Sequence, residues 1–153
     1  MARAELVENM NAALGFELAA VIQYSQHSYL ITGPDREVFR DFFREQAEEA
    51  QKHAESVGDK VVALGGVPTV EPAVIRQSVE LKEMLKQNLA LERDAMTAYM
   101  AAWASCDEND LAQKFWLEER IADEQIHIEE LEKLTSERTA KVTSDRIVLR
   151  EVS

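Results

Sequence analysis

Four long segments of this chain repeat apolar residues every three or four positions, which is the spacing of one face of an α-helix. They cover about residues 4–30, 35–64, 78–106 and 110–134. The 5 glycines and 3 prolines fall mostly between them. Because such faces are buried most simply against one another, the pattern predicts an all-α four-helix bundle.

The links between the segments indicate how the helices connect. Thr32-Gly33-Pro34-Asp35 predicts a turn after the first helix, with Asp35 as N-cap of the second. Residues 67–77 hold two of the three prolines and have no helical period, so they predict a long crossover between the second and third helices. Asp110 and Gln113 have capping-box spacing and predict the start of the fourth helix. The expected order is up-down-down-up.

The chain is expected to form one bundle domain over residues 1–134, followed by a different segment over residues 135–153. That tail is rich in Thr, Ser and Arg, and its apolar residues follow no helical rhythm. It is expected to be either a strand-like or a disordered extension, and the sequence leaves both readings open.

Charge and composition restrict the partners. A net charge of -12 argues against nucleic acid or an anionic membrane, because both favour clustered Lys and Arg. No apolar run approaches the roughly eighteen residues that cross a bilayer, and the first residues lack the layout of a signal peptide. Cys106 is the only cysteine, so no intrachain disulfide can form. A cytoplasmic location and small cationic partners are expected.

Carboxylates and imidazoles stand on the apolar faces of all four segments. Glu124-Gln-Ile-His127 places a Glu and a His one turn apart, while Glu17, His53 and Glu92 lie within the other three segments. An ionised carboxylate in a bundle core is costly unless a cation or hydrogen-bond donor meets it. Any one of these residues alone could be a boundary Glu or a hydrogen-bonded core His. Together they predict a metal site whose chemistry suits iron or manganese better than structural zinc.

These segments resemble the ligand helices of the ferritin-like superfamily, and those of the bacterioferritins most closely. Leu14–Tyr24 and Asn88–Glu92 look like the family's first and third helices, and Gln51–Glu55 and Asp123–His127 look like its second and fourth. The resemblance spans about residues 3–134. It implies a ferritin-like bundle that binds two iron ions and oxidises Fe(II) with dioxygen, in iron storage or detoxification.

The resemblance also implies a role for each ligand. Glu17 and Glu92 would be terminal carboxylates, one for each metal. His53 and His127 would each supply one imidazole, and Glu124 would bridge the two metals. The three glutamates are therefore the candidate catalytic residues. Two iron ions per chain are implied, with manganese as another possible metal.

The chain departs from the family's pattern at Ala50, where the second Glu-x-x-His motif would need a glutamate. Glu49 is a possible substitute ligand. It lies roughly 80° away from Ala50 around the helix, so a π-bulge would be needed to turn it inward. The alternative is a site without this ligand, or one completed by water or another carboxylate.

Two further departures concern haem and assembly. Gln51 stands at the position where the bacterioferritins carry the Met that binds haem, so no haem is predicted in that mode. The tail does not have the pattern of the family's short fifth helix, which makes a closed cage doubtful. A homo-oligomer is still expected, at least a dimer through the first two helices.

Neighbouring polar and aromatic residues are candidates for supporting roles. Asn88 and Asp123 precede Glu92 and His127 by one turn and are predicted to orient them. Four aromatic residues on these helices could relay electrons, although packing is the simpler account. They are Tyr24, Tyr99, Trp103 and Trp116.

Three functions remain open. The leading hypothesis is a ferroxidase-type di-iron oxidoreductase with Fe(II) and dioxygen as its partners. The alternative is a non-catalytic or single-metal subunit of a mixed assembly with a related chain, which Ala50 favours. The third is a di-iron or di-manganese oxidoreductase acting on peroxide or an organic substrate, because four-helix sites of this kind serve several chemistries.

Overall fold

Four α-helices make up most of the protein. The computed structural model describes residues 2–135, and no strand occurs within that range. The predicted all-α fold is therefore confirmed. The tail predicted for residues 135–153 lies outside the described residues, apart from Thr135. In chain order the helices are α1 Ala2–Leu30, α2 Arg36–Ala63, α3 Leu81–Ala104 and α4 Leu111–Leu134.

The helix starts follow the predicted caps, with one difference. Asp35 occupies the N-cap position of α2, but its side chain makes no capping hydrogen bond. Asp110 does cap α4, because its carboxylate accepts a hydrogen bond from the backbone N–H of Gln113 at 3.4 Å. Between α1 and α2, Gly33 has φ of 98°, a value that glycine adopts without steric cost.

The predicted crossover between α2 and α3 lies along α1. The backbone N–H of Ala73 donates to the carbonyl of Gly15 at 2.8 Å, and the Asn11 side chain bonds the backbone of Val67 and Thr69. The crossover runs close to α1 here, since a Cβ at Gly15 would lie 3.4 Å from the Glu71 carbonyl oxygen, which is van der Waals contact. The crossover makes α2 and α3 parallel, as predicted.

The helices pack around three sides of the bundle more closely than around the fourth. α1 packs against α2 and α3, and α3 packs against α4. No Cα atom of α2 lies within 8 Å of a Cα atom of α4. The contacts across the α2–α4 side, such as Glu49 with His127, are made by side chains.

The apolar core is divided into two clusters by a polar layer near the middle of the bundle. One cluster contains Leu6, Met10, Val57 and Leu117, and the other contains residues such as Phe43. The buried polar side chains between them belong to Glu17, His53, Glu92 and Glu124. The fold thus holds these four side chains at one level, with apolar packing on both sides.

Candidate metal centre

The residues predicted as metal ligands converge in this polar layer. Glu17, His53, Glu92 and Glu124 come from four different helices and are 1–6% exposed. The side chain of His127 is 11% exposed. Long-range packing therefore brings together residues from the first to the last helix of the bundle.

The first potential ligand group contains Glu17, His53 and Glu124. Their ligand atoms lie within 4.8 Å of one another. The Nδ1 atom of His53 is 3.5 Å from Glu17 Oε1 and 3.8 Å from Glu124 Oε1. Two carboxylates and one imidazole in this arrangement offer the mixed oxygen and nitrogen ligands that iron and manganese accept.

The second group contains Glu92, Glu124 and His127, and its ligand atoms also lie within 4.8 Å of one another. The Nδ1 atom of His127 is 3.7 Å from Glu92 Oε2 and 3.9 Å from Glu124 Oε2. Glu124 belongs to both groups, with Oε1 near His53 and Oε2 near His127. Its position between the groups is the one required of a bridging carboxylate.

The two imidazoles present the same nitrogen to the interior. The rings of His53 and His127 are stacked, with centroids 5.8 Å apart and planes inclined by 23°. Each Nδ1 atom faces the ligand carboxylates, whereas each Nε2 atom faces an outer carboxylate. The Nδ1 atoms are therefore the ones available to metals.

The outer carboxylates are Asp123 and Glu49, and each comes from the helix opposite its histidine. Glu49 Oε2 lies 3.2 Å from Nε2 of His127, and Asp123 Oδ2 lies 4.0 Å from Nε2 of His53. A carboxylate at this nitrogen fixes the tautomer in which Nδ1 is free to bind a metal. The pairing differs from the prediction for Asp123, which assigned it to His127 on its own helix.

Glu49 does not occupy the position expected of a substitute ligand. It belongs to neither potential ligand group and remains 46% exposed on the flank of α2. No π-bulge turns it inward, because α2 is α-helical over Arg36–Ala63. Its flexible side chain reaches the outer nitrogen of His127 without one.

A repeat that sequence reasoning missed relates the two halves of the bundle. Tyr24 follows Glu17 by seven residues on α1, and Tyr99 follows Glu92 by seven residues on α3. The Tyr24 hydroxyl donates to Glu92 Oε1 at 2.8 Å, and the Tyr99 hydroxyl donates to Glu17 Oε1 at 2.8 Å. The matching Glu-x6-Tyr spacing in the sequence could have revealed this exchange.

The second and fourth helices continue the repeat. On α4, Asp123 and Glu124 precede His127 by four and three residues, and on α2, Glu49 and Ala50 precede His53 by the same intervals. Ala50 is therefore the counterpart of Glu124. It is 5% exposed, so its methyl group lies in the interior where the other half of the repeat has a carboxylate.

Asn88 takes part in a separate buried network. It accepts a hydrogen bond from the Gln23 side chain at 2.8 Å, and its amide nitrogen lies 3.1 Å from Nδ1 of His27. Gln23 also accepts from the backbone N–H of Arg76 at 2.8 Å. Gln23 therefore joins the crossover to α1, and Asn88 links Gln23 to α3. The predicted contact that would orient Glu92 is made instead by Tyr24.

The four aromatic residues divide into two kinds. Tyr24 and Tyr99 are fully buried and bond the ligand carboxylates, so they do more than pack. Trp103 is 36% exposed, and its indole N–H donates to Glu118 at 3.2 Å. Trp116 packs at the edge of the core with Lys60 over its ring. These contacts of the tryptophans run to Glu118 and Lys60, which are not ligand candidates.

The unpaired atoms of the site fit a cation. Both carboxylate oxygens of Glu124 and the Nδ1 atom of His127 are buried without a hydrogen-bond partner among the described residues. Burial raises the pKa of Glu124 well above its usual value, and the negative charges of Glu92 and Glu17 raise it further. Positive charge between the two ligand groups would relieve this repulsion.

Two other groups of the site are also shifted. Burial would lower the pKa of His127, but Glu92, Glu49 and Glu17 raise it to about 9. Burial would raise the pKa of Glu92, but its contacts with Glu124 and the charge of His127 lower it to about 2. These opposite shifts favour a protonated His127 beside an ionised Glu92 in the metal-free protein.

Fold and site together define a ferritin-like four-helix bundle with a carboxylate-histidine centre. A family model described as a ferritin-like domain matches residues 7–139, and the chain belongs to this family. A bacterioferritin of Brucella melitensis biotype 1 is 34% identical over 132 residues, which are 84% of this chain and 81% of that protein. Membership of the family supports iron binding and a role in iron storage.

Two solved structures show the same similarity. A ferritin-like diiron-carboxylate protein from Bacillus anthracis str. Ames is 31% identical, has a TM-score of 0.84, and aligns over 88% of this chain and 98% of its own. The bacterioferritin of Rhodobacter capsulatus, solved with a metal-free dinuclear site and a haem iron, is 31% identical with a TM-score of 0.78, over 87% and 84% of the two chains. The resemblance to bacterioferritins is thus confirmed. Within the described residues, no helix is long and apolar enough to cross a membrane.

The raised pKa of His127 predicts how the metal-free protein responds to pH. Folding raises the pKa of His127 from 6.5 to about 9, so the protonated imidazole stabilises the folded state. This contribution is complete below pH 6.5 and is lost as the pH rises to about 9. Metal binding at Nδ1 must displace this proton, so metal affinity should rise over the same interval. An NMR titration of the chelator-treated protein measures the pKa, with His127→Gln identifying the resonance. A pKa at or below 6.5 would contradict this description of the site.

The crossed tyrosine bonds predict that two distant substitutions have matching effects. Tyr24→Phe removes a hydrogen bond from Glu92, and Tyr99→Phe removes one from Glu17. Each should weaken metal binding by about 10–100-fold, as changes to groups that orient metal ligands do. Tyr29→Phe is the control, because Tyr29 is 67% exposed and bonds no ligand. Titration with Co(II) followed by visible absorption measures the affinities. Unchanged affinity in both variants would show that these bonds do not position the carboxylates.

Proposed function

We propose that this protein binds two iron ions in the polar layer and oxidises Fe(II) with dioxygen, as part of iron storage or detoxification. The observation that supports the proposal most directly is the position of Glu124. It places one unpartnered oxygen in each of two ligand groups, and each group also contains its own glutamate and its own histidine. Membership of the ferritin-like family makes iron the expected metal.

The proposed roles follow the contacts. Glu17 and Glu92 are terminal carboxylates, and their tyrosine partners hold each one in a fixed orientation. His53 and His127 each bind one metal through Nδ1, while the outer carboxylates stabilise the proton on Nε2. Glu124 bridges. The carboxylates favour oxidation because negative ligands stabilise Fe(III) more strongly than Fe(II), and each Fe(II) gives one electron to dioxygen.

The loosely packed α2–α4 side supplies a route to this centre. A surface cavity of about 380 Å³ lies there against His53, and another of about 210 Å³ lies against His127. Glu49 lines both cavities. Three acidic side chains line the larger one together with Lys52 and Arg120, and the protein as a whole carries a net charge of -12, so its overall field attracts divalent cations. We propose that Fe(II) and dioxygen approach from this side.

Self-association is part of the proposal. Ile22, Tyr29 and Val38 on α1 and α2 are 46–70% exposed, which favours a homo-oligomer, at least a dimer, through these helices. The absence of haem in the Met-ligated mode remains a prediction from Gln51, which is exposed on α2.

The alternative function is a subunit that binds a single metal, or binds two without oxidising them. Ala50 supports this alternative, because the half of the site formed by α2 has no carboxylate to match Glu124. The two readings make opposite predictions for Ala50→Glu. Oxidation would appear in that variant for the first time if the natural site is inactive, whereas a working natural site would already oxidise iron.

The proposal predicts iron-dependent oxygen consumption by the purified protein, above the rate in buffer and saturating near two Fe(II) per chain. Glu124→Ala should reduce the rate by more than the roughly 10–100-fold loss typical of residues that only orient ligands. Glu119→Ala is the matched control, since Glu119 is an exposed glutamate on the same helix. Circular dichroism checks that both variants fold. A wild-type rate no higher than in buffer would overturn the proposal, and gain of oxidation by Ala50→Glu would then support the alternative.

A further inference from the structure

The internal repeat of the bundle is broken at Ala50, which lies in the protein interior. Ala50 and Glu124 are counterparts, and both are at least 95% buried. A glutamate at position 50 would place a second carboxylate beside the two ligand groups. Ala50 has only the Cβ atom of that side chain. The part of a glutamate side chain beyond Cβ has the same heavy atoms as acetate, so acetate matches the missing fragment in size and chemistry.

Charge favours an anion at this place once two metals are bound. The two groups contain three carboxylates, from Glu17, Glu92 and Glu124, together with two imidazoles that are neutral when they bind a metal. Three negative charges leave an excess of one positive charge on two divalent metals, and of three on two trivalent metals. Uncompensated charge in a buried site is costly, so an additional anion is stabilised there.

Among the described residues, no further carboxylate belongs to either ligand group. Glu49 lies 3.2 Å from the outer nitrogen of His127, on the side away from the metal-binding Nδ1 atom. Asp123 occupies the equivalent outer position at His53 and is also paired with Arg120 at 3.0 Å. Among the described residues, neither belongs to a ligand group. Both therefore support the histidines rather than bridge the metals.

The α2–α4 side gives a small anion both access and a binding partner. Arg120 lines the larger cavity together with His53. Its Nε atom is buried without a hydrogen-bond partner in the described part of the chain, although its side chain as a whole is 20% exposed. A guanidinium N–H without a partner is a strong donor for a carboxylate. It would attract an anion into the cavity beside His53, the histidine of α2 that follows Ala50 by three residues.

We propose that a small carboxylate anion of the size of acetate binds beside Ala50 and completes the metal bridge opposite Glu124. This inference rests on the proposed two-metal site and adds an external ligand to it. The second metal then binds tightly only when such an anion is present. Iron loading of this protein would therefore depend on the supply of small carboxylates, and that dependence would disappear if the chain itself carried the carboxylate.

The test is a titration of the metal-free protein with Co(II), followed by visible absorption, in sodium acetate and in sodium chloride of equal ionic strength. The affinity for the second Co(II) should rise at least about tenfold in acetate, as expected for a charge-assisted contact. Ala50→Glu should bind two Co(II) equally well in both salts. Ala50→Val adds volume without a carboxylate and should lose the response to acetate. Circular dichroism checks the fold of each variant.

Broadening of the carboxylate resonance of carbon-13-labelled acetate by protein-bound Co(II) provides a direct readout. It should occur with the wild type and be absent with Ala50→Glu. Two Co(II) bound equally well in acetate and chloride would overturn the anion site while leaving the two-metal function intact. One Co(II) per chain in every salt, with two in Ala50→Glu, would overturn both the anion site and the proposed function.

Discussion

The rest of the structure is organised around the burial of Glu124. Its side chain is 1% exposed, both of its oxygens lack a hydrogen-bond partner among the described residues, and its closest polar neighbours include two more carboxylates. Such an arrangement is unfavourable without positive charge. The apolar clusters on both sides of it prevent the layer from opening, so the free energy of packing holds the carboxylates in place until a cation compensates them.

The approximate twofold repeat explains how one chain builds two similar ligand groups. Each half contributes a glutamate, a histidine, a tyrosine and an outer carboxylate, and the tyrosine and outer carboxylate support ligands of the other half. A change in one half is therefore transmitted to the metal position of the other. The repeat fails at Ala50, where α2 carries a methyl group opposite Glu124. Within residues 2–135, this difference makes Glu124 the only carboxylate that belongs to both ligand groups.

The sequence predicted the parts of this structure that depend on local pattern. Apolar periodicity located all four helices and the crossover, and the inward positions of Glu17, His53 and Glu92 followed from the same periodicity. Contacts between helices were harder to predict, because they depend on how the helices pack. The angle of Glu49 around α2 indicated a residue on the flank, but it gave no information that the side chain reaches His127 across the α2–α4 side.

Asn88 illustrates the same limit. Its position one turn from Glu92 suggested that it orients this ligand, whereas its hydrogen bonds run to Gln23 and His27 on α1. Sequence spacing identifies neighbours on one helix, but a buried amide can bond residues of any helix packed against it. The exchange of tyrosine bonds was different, because the repeated Glu-x6-Tyr spacing was visible in the sequence and needed only to be compared between the two halves.

Glu124 is proposed to lie between two metal positions, one in each ligand group. Crystals of the wild-type protein loaded anaerobically with Fe(II) can test it through anomalous scattering at the iron absorption edge. We expect two peaks, one beside Glu17 and His53 and the other beside Glu92 and His127, with Glu124 in contact with both. A single peak, or a second peak that Glu124 does not touch, would contradict it.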